Sequence, residues 1–517
     1  MSLNHSQSAI RRPRHRVRHR AVSLVGRRTS RHDDGWFVRA IPDLMIGLLI
    51  FLVSLTINLG AVPTQGFHPD ETRWLNRSHY IKDALDPFGP AWQDYYLTRG
   101  QPPMGSYLMG IGQLAQGKTL YPNLVWDFFF DSNDPIFSSD DRNERWNQTS
   151  GAMPSQENLL SGRRTNAVTG ALAVLVAYIV GRLLTNRVGG VIGALVLSIH
   201  PLHVLIASQA LSDQLLILLL GLSCIVGYRV MKRPSWGMAL LFGMVLGMGG
   251  ATKLTPLLLS LPIAMMGAFF VIRSRFWRQS RDASEKDWTL GTKLVVQPIL
   301  AFAAFVLVYP YLWVDPIGRT YNLFKFRVDE MASQAQLFDH AGVANVGVGL
   351  GRTGDRLAVK HQAASEIFGW INERLGTSLS LAGLDLMLGF AGLLLFILLV
   401  VRKGLRSPES MIAALLLAET AMIIYGLRSD LYRYFLPLVF VQSICISVLA
   451  GVVWSSVFAP RLHGMAERSS LARFLLRPDA GRITAGEPNA QPPRRDVAPR
   501  QVRTRQPGPT FTSSHAD

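Results

Sequence analysis

Two adjacent acids beyond the first long apolar segment are the residues whose types and position best suit chemistry. The apolar segment covers residues 43–62, and Asp70 and Glu71 follow in the sequence His68-Pro69-Asp70-Glu71. Carboxylates near the end of a membrane segment are costly unless they face water or carry out a function. In an aqueous cavity at the membrane surface, a carboxylate can accept a proton or hold a cation. The pair therefore favours a membrane enzyme over a scaffold.

The same two acids also have a purely structural explanation. Pro69 suits the first turn of a helix, and the helix dipole favours anions at that end, so Asp70 and Glu71 could simply cap an interfacial helix. Apolar residues then recur at helical spacing on one face of this predicted helix, namely Trp74, Ile81 and Leu85. Local chemistry leaves the catalytic and the capping interpretations open.

Composition predicts the elements that must position these acids. Of the 517 residues, 49% are hydrophobic and only 17% are charged, with a mean hydropathy of +0.20. Apolar windows of about 17–25 residues predict an all-α polytopic fold of about ten transmembrane helices. The two segments that meet at Lys253 could instead form a re-entrant hairpin, because the turn between them is short and contains Gly249, Gly250 and Pro256. The predicted spans lie near 43–62, 163–184, 188–206, 212–231, 236–252, 254–272, 292–313, 380–401, 409–427 and 431–457.

The placement of charge predicts the topology. The net charge is +18, and arginines are concentrated in residues 1–42 and 459–517, which we predict to be basic cytoplasmic tails around a membrane domain at 43–458. The loops that are rich in Lys and Arg alternate along the chain with less basic loops. This alternation predicts that segments 63–162 and 314–379 lie on the outer face of the membrane. We predict a multi-pass protein of a bacterial plasma membrane with its site on the outer face. Attraction to membrane lipids explains the basic tracts, so no nucleic-acid partner is predicted.

Several cations are candidates to bind an anionic substrate. Arg433 lies in a polar turn before the last span, where a guanidinium can grip phosphate oxygens in a fork or can anchor the helix at the lipid headgroups. Arg163, Arg164 and Lys253 lie near other outer boundaries and have the same two interpretations. Asp213 could cap the helix predicted at 212–231 or pair with one of these cations.

Metal and disulfide chemistry find little support. His200 and His203 have a spacing that suits a metal pair, but no third ligand accompanies them. The acids in the predicted outer insertion 118–160 lack the spacing of a calcium loop. Cys224 and Cys445 lie inside apolar runs and are interpreted as small hydrophobic residues. No metal site is assigned and no cofactor is required, although a divalent cation is possible.

The order of these features resembles the GT-C glycosyltransferases that use lipid-phosphate sugars, in particular the protein O-mannosyltransferases and the bacterial aminoarabinose-transferase-like enzymes. The resemblance covers roughly residues 40–455. It rests on the acid pair after the first span, Pro102-Pro103-Met104-Gly105, Arg163 or Arg164 opening the next span, Ser212-Asp213, the Gly-x-x-x-Lys that ends at Lys253, and Arg433-Tyr434 before Pro437.

This resemblance implies a helical bundle whose outer-face juxtamembrane helices cover a cavity. It also implies transfer of a sugar from a polyprenyl-phosphate carrier to an acceptor hydroxyl on a protein, lipid or glycan. Asp70 falls on the position of the catalytic base, with Glu71 orienting the acceptor or a neighbouring cation and His68 in support. The donor phosphate would bind to the cations named above, with Arg433 first among them.

The sequence departs from the mannosyltransferase pattern at two points, and two other functions remain as alternatives. Ser106 stands where mannosyltransferases commonly have a lysine, and segment 314–379 is too short for the β-trefoil insertion of the eukaryotic enzymes. A transporter or lipid flippase would use Asp70, Asp213 and Arg433 as an ion relay, although no internal repeat is evident. A catalytically silent assembly protein on the same fold is the other alternative.

Overall fold

The computed structural model describes residues 34–120, 153–277, 280–337, 341–358, 362–376 and 383–459. These residues form helices and one isolated antiparallel bridge between Gly342 and Ser429. Both basic tails, apart from their ends nearest the bundle, and the acids of the 118–160 insertion from Asp127 to Glu144 lie outside the described residues. The chain divides into a compact unit Met1–Trp454 and a second unit Ser455–Asp517.

One long apolar helix and four short helices make up the part before residue 120. The long helix exposes Leu44, Met45, Leu48 and Leu49, the kind of surface that faces lipid tails. The five are α1 (Asp34–Ala61), α2 (Pro69–Asn76), α3 (Tyr80–Asp83), α4 (Tyr96–Gly100) and α5 (Met104–Ala115).

The remaining described residues contain fifteen further α-helices, most of them apolar. The helices up to residue 307 are α6 (Gln156–Leu184), α7 (Arg187–Ile199), α8 (Pro201–Ala207), α9 (Asp213–Lys232), α10 (Trp236–Gly250), α11 (Thr255–Leu258), α12 (Ser260–Phe276), α13 (Arg281–Val295) and α14 (Gln297–Leu307). Those that follow are α15 (Pro316–Leu337), α16 (Val346–Leu357), α17 (Gln362–Leu375), α18 (Leu384–Lys403), α19 (Pro408–Gly426) and α20 (Leu436–Val453).

The prediction of an all-α polytopic membrane fold is confirmed. Within the described residues, eight helical segments are long and apolar enough to cross a membrane, and the number is nine if α7 and α8, which meet at a bend of 64°, are counted as one broken span. The bend follows from Pro201, which cannot continue α7 but suits the first position of α8. The tenth predicted span is α10, which has only 15 residues and ends at the glycine-rich turn before Lys253.

The basic breaks between spans gather at one end of the bundle. There Asp43 of α1 accepts hydrogen bonds from Arg187 at 2.8 Å and from Tyr178 at 3.0 Å. Arg182, at the end of α6, pairs with the same carboxylate. At that end the buried Asp287 also pairs with two arginines, Arg273 at 3.0 Å and Arg406 at 2.7 Å. Since successive spans alternate in direction, the acid pair and its neighbours lie at the opposite end.

Small residues let the spans approach closely in the core. Gly181 of α6 and Gly193 of α7 both face Ser447 of α20, and a Cβ added at either position would come within 2.6 Å of that side chain. The two cysteines are free and buried, as expected for small apolar residues. The helix α15 lies at the same end as the acid pair and exposes Ile317, Tyr321 and Val328 on one side, which is typical of a helix at a membrane surface.

Candidate active site

The acid pair occupies the first turn of α2, and a capping box fixes its position. His68 is the N-cap residue, and its Nδ1 accepts a hydrogen bond from the Asp70 N–H at 3.1 Å. In return, the Glu71 carboxylate accepts from the His68 N–H at 2.9 Å. Pro69 stands at the first helical position, where no backbone N–H is needed. The capping interpretation therefore describes this turn, and it separates the roles of the two acids.

Glu71 points into the protein and is fully buried. Arg163 donates to it twice, from Nε to Oε1 and from Nη2 to Oε2, both at 2.8 Å. The Ala210 N–H donates to Oε1 at 2.7 Å, and the same guanidinium donates to the carbonyls of Gln65 and Gly66 at 2.9 Å. Full burial leaves no surface through which Glu71 could contact an acceptor, and its carboxylate instead binds the Arg163 guanidinium. Glu71 joins α2 to α6 and to the turn before α9.

Asp70 points away from Glu71 and pairs with Arg433, a residue 363 positions later in the chain. The side chains of Asp70 and Arg433 keep 14% and 18% of their surfaces exposed, so a ligand can reach both. Arg73 lies further away, at 3.9 Å from the same carboxylate. This arrangement brings the predicted base and the predicted phosphate-binding arginine into direct contact.

Backbone hydrogen bonds hold the turn that carries Arg433. The Val343 N–H donates to the carbonyl of Arg428 at 2.9 Å, and the Asp430 N–H donates to the carbonyl of Ala341 at 2.7 Å. Asp430 also pairs with Arg356 of α16 at 2.9 Å. The segment after α15 therefore fixes the turn from which Arg433 reaches Asp70.

A second ion pair lies beside the first. Lys253 pairs with Asp213 at the start of α9, and the lysine keeps 27% of its side chain exposed while the acid is buried. The Lys253 ammonium lies 5.6 Å from the centre of the Tyr434 ring, and the Arg433 guanidinium lies 5.5 Å from the same centre. Both cations therefore face one aromatic ring, which contributes a favourable cation–π interaction with each.

The Pro-Pro-Met-Gly segment closes one side of this site. The Met104 N–H donates to the carbonyl of Ala251 at 3.0 Å, which attaches the start of α5 to the turn that carries Lys253. A Cβ added at Gly105 would lie 2.6 Å from both Trp74 and Ser212. Glycine is required at that position because α2, α5 and the start of α9 meet there.

His68 is electrically neutral at this site. Burial, reinforced by the nearby Arg433 guanidinium, lowers the pKa of the His68 imidazole from 6.5 to about 4. Since Nδ1 accepts the Asp70 N–H, the ring proton must lie on Nε2. The ring stands edge-on to Tyr432 with the two centres 6.1 Å apart. His68 is therefore a cap and a wall of the site rather than a cation.

Some candidate residues lie away from these contacts. Arg164 is exposed, and it is Arg163 that the structure places in the site. His200 caps α8 through its Nδ1, and His203 lies beside Gln214, whose amide donates to the His203 carbonyl at 2.9 Å. Within the described ranges, no three residues of the metal-ligating types come together.

Two charged residues near the site were missed by the sequence analysis. Glu419 is buried within α19, where Thr255 donates to it at 3.3 Å and Lys253 acts on it electrostatically. Arg327 lies on α15 and acts electrostatically on Tyr434. An acid inside an apolar run was a visible signal for Glu419. Arg327 gave no comparable signal, because charges are ordinary on a surface helix.

Comparison with known families adds to this geometry. Residues 145–309 match the dolichyl-phosphate-mannose-protein mannosyltransferase family. This match confirms the resemblance drawn from the motifs and agrees with the predicted enzyme class, a glycosyltransferase. It includes Arg163, Asp213 and Lys253, whereas Asp70 and Arg433 lie outside it. No curated protein sequence matches the chain.

Solved structures with a similar fold are distant in sequence. One is the oligosaccharyltransferase of Archaeoglobus fulgidus tethered to an acceptor peptide, with 14% identity, a TM-score of 0.47, and 86% of this chain and 53% of that chain covered. Another is ArnT from Cupriavidus metallidurans bound to undecaprenyl phosphate, with 16% identity, a TM-score of 0.42, and 84% and 64% covered. This chain thus spans about half the length of the oligosaccharyltransferase.

Proposed function

We propose that this protein is a membrane glycosyltransferase that moves a sugar from a polyprenyl-phosphate carrier to an acceptor hydroxyl on the outer face of the membrane. The observation that carries the proposal is the contact of Asp70 with Arg433 beside Lys253. A reachable carboxylate next to two cations suits a reaction in which a hydroxyl loses its proton while a phosphate departs. The matched family is named for a dolichyl-phosphate-linked donor, which belongs to the same class of carrier.

The proposed reaction is a single displacement with inversion. The acceptor oxygen forms a bond to the anomeric carbon, and the bond from that carbon to the phosphate oxygen breaks. The carrier phosphate leaves with the electron pair, and the hydroxyl proton passes to the Asp70 carboxylate. Arg433 and Lys253 bind phosphate oxygens and offset the negative charge that develops on them. The acceptor hydroxyl belongs to a protein, a lipid or a glycan.

The pairing of Asp70 with Arg433 sets the order of donor binding and acceptor activation. A carboxylate oxygen that accepts from a guanidinium is less available to take a proton. When the donor phosphate binds Arg433, the guanidinium exchanges Asp70 for phosphate oxygens and the carboxylate becomes free. We therefore expect the donor to bind before the acceptor is activated.

The outer-face location rests on charge asymmetry. The basic breaks near Arg187, Arg273 and Arg406 lie at the end of the bundle opposite to Asp70. Since basic segments are retained in the cytoplasm, the opposite end faces outward, where a carrier-linked sugar rather than a nucleotide sugar is the expected donor.

Turnover by the purified, reconstituted full chain tests this function. The protein is supplied with a panel of polyprenyl-phosphate sugars and acceptors, with and without a chelator to test for a divalent cation. Asp70→Asn should lower the rate by about 10² to 10⁴ while the protein stays folded, since general bases contribute that much. Asp86→Asn, an exposed acid in the same outer segment, is the matched control. Near-normal turnover by Asp70→Asn would exclude the base assignment, and no transfer from any such donor would refute the function.

A transporter or flippase is the second candidate, and Glu419 is the observation that favours it. A buried acid inside a membrane helix, close to Lys253, is a common component of ion pathways. Movement of a fluorescent polyprenyl phosphate across vesicles by the wild type, lost in Glu419→Gln, would support that candidate. Sugar transfer that persists in Glu419→Gln without lipid movement would reject it.

A further inference from the structure

Arg327 is a charged residue of α15 that faces the site end of the bundle. Its Nη1 donates to the carbonyl of Gly100 at 3.3 Å, and it also pairs with Glu330 one turn later. The arginine keeps 28% of its side chain exposed, so a ligand can reach the side chain. Phe326 packs against the same glycine, where an added Cβ would lie 3.1 Å from its ring. These contacts fix α15 on the segment that leads into α5.

That segment connects Arg327 to the turn that carries Lys253. Gly100 precedes the Gln-Pro-Pro residues, and the next residue, Met104, is bonded to Ala251 of the Lys253 turn. Arg77 stabilises the segment by donating to the carbonyl of Gln101 at 3.2 Å. The segment is therefore held both at the arginine and at the Lys253 turn.

Tyr434 gives a second link between Arg327 and the two other cations. Arg433 and Lys253 lie within 5.6 Å of its ring centre. Arg327 is the third cation whose charge acts on the Tyr434 hydroxyl. Three cations from three different parts of the chain therefore act electrostatically on one aromatic side chain.

The three cations share a pattern of pairing. Each is held by an acid: Arg433 by Asp70, Lys253 by Asp213, and Arg327 by Glu330. An arginine that keeps an exposed face can exchange its carboxylate for a phosphate, because each group presents two oxygen acceptors that suit its fork. The pairs thus hold the cations in place until an anion arrives.

The negative charge on the phosphate increases during the reaction, and a third cation could stabilise this added charge. A sugar joined to polyprenyl phosphate is a phosphodiester with one negative charge. The departing polyprenyl phosphate is a monoester, which gains a second charge of roughly −0.5 to −1 at neutral pH. A cation that meets this added charge binds the transition state and the product more strongly than the donor, and such differential binding raises the rate of the chemical step.

We propose that Arg327 is a third phosphate-binding residue, carried by α15, which binds the departing polyprenyl phosphate as its second charge develops. This inference rests on the proposed function and deepens it. Glu330 then holds Arg327 before the donor binds and competes with the departing phosphate for its guanidinium. A purely structural Arg327 would instead fix α15 to Gly100 and would have no preference between donor and product.

The experiment measures transfer by the reconstituted full chain against donor concentration, with added polyprenyl phosphate as the product inhibitor. Arg327→Gln should lower kcat by about 10², the effect of removing one preorganised charge-stabilising donor, with little change in the KM for the donor. Product inhibition should weaken by about tenfold, which corresponds to about 1.4 kcal/mol. Lys325→Gln, an exposed cation of the same helix, is the matched control and should resemble the wild type.

Two further variants separate binding from structure. Arg327→Lys keeps the charge and should recover part of kcat, whereas Glu330→Gln frees the arginine and should strengthen product inhibition. Weaker product inhibition in Arg327→Gln together with stronger product inhibition in Glu330→Gln would support the inference. It is overturned if both variants weaken product inhibition, or if Arg327→Gln behaves like Lys325→Gln in a wild-type background that transfers sugar. Absence of transfer by the wild type would instead refute the proposed function.

Discussion

Replacing Glu71 with Gln should destabilise the protein far more than the matching change at Asp70. Each Glu71 oxygen accepts two N–H groups: Oε1 from Arg163 and Ala210, and Oε2 from Arg163 and His68. A glutamine amide has only one accepting oxygen, so its NH₂ group must face two N–H donors in either orientation. The buried Arg163 would also lose its carboxylate.

The expected size of the effect follows from burial. Removing one partner of a fully buried ion pair costs about 3–5 kcal/mol, because the remaining charge stays buried without compensation. Asp70 keeps 14% of its side chain exposed, and asparagine can still accept from Arg433. Asp70→Asn should therefore cost only about 1 kcal/mol of unfolding free energy. Two adjacent acids should give opposite phenotypes, one mainly in stability and the other mainly in turnover.

The assay compares thermal unfolding in detergent, followed by tryptophan fluorescence, with turnover at a temperature where the variant is folded. The double variant Glu71→Leu with Arg163→Met should recover part of the loss, since replacing both charges with apolar groups is often close to neutral. About 1–3 kcal/mol should persist, because the Ala210 N–H and the carbonyls that Arg163 satisfies lose their partners. A Glu71→Gln protein that melts like Asp70→Asn would show that this reasoning is wrong.

Three further predictions follow from the site and the fold. The pKa of His68 is lowered from 6.5 to about 4, so unfolded protein binds a proton that folded protein excludes, and stability should fall as the pH falls from 6.5 to 4. The loss should be on the order of 3 kcal/mol, and a melting profile of His68→Asn, which keeps a capping oxygen, should be flatter in this window. Gly105→Ala should cost about 1–3 kcal/mol in the same unfolding assay, because the new Cβ meets Trp74 and Ser212, whereas Gly60→Ala, with nothing within 4 Å, should be harmless. A membrane-impermeant thiol reagent added outside cells should label a cysteine engineered at Ser138 but not one at Arg495, and the reverse pattern would place the site in the cytoplasm.

The sequence predicted most of the candidate residues that the structure brings together, but it did not fix which of them pair. Charged residues at the ends of membrane spans need an explanation. For that reason the sequence analysis selected Asp70, Asp213, Lys253 and Arg433. Their pairing depends on how the spans pack, and local pattern contains no information about contacts across hundreds of residues. That Asp70 and Glu71 face different ways was predictable from helix geometry. Which of them turns inward depends on Arg163.

Other features were beyond the reach of sequence patterns for identifiable reasons. Arg163 and Arg164 are equivalent in hydropathy, and only the rotational position of α6 places one inside and the other outside. Arg327 lies on a surface helix, where charges are expected. The bend between α7 and α8 was unrecognised, although Pro201 lies at its centre, because the two halves together have the length of one span.

The distance along the chain between Asp70 and Arg433 has a consequence for biosynthesis. Asp70 leaves the ribosome after the first span, but its partner lies immediately before the last helix, 363 residues later. During most of translation, therefore, the carboxylate is present in a nascent protein that lacks its counter-ion. The site is completed only when the final helix has been inserted beside the others. A chain that ends before residue 433 would contain every described α-helix that precedes α20, but its Asp70 would permanently lack this arginine.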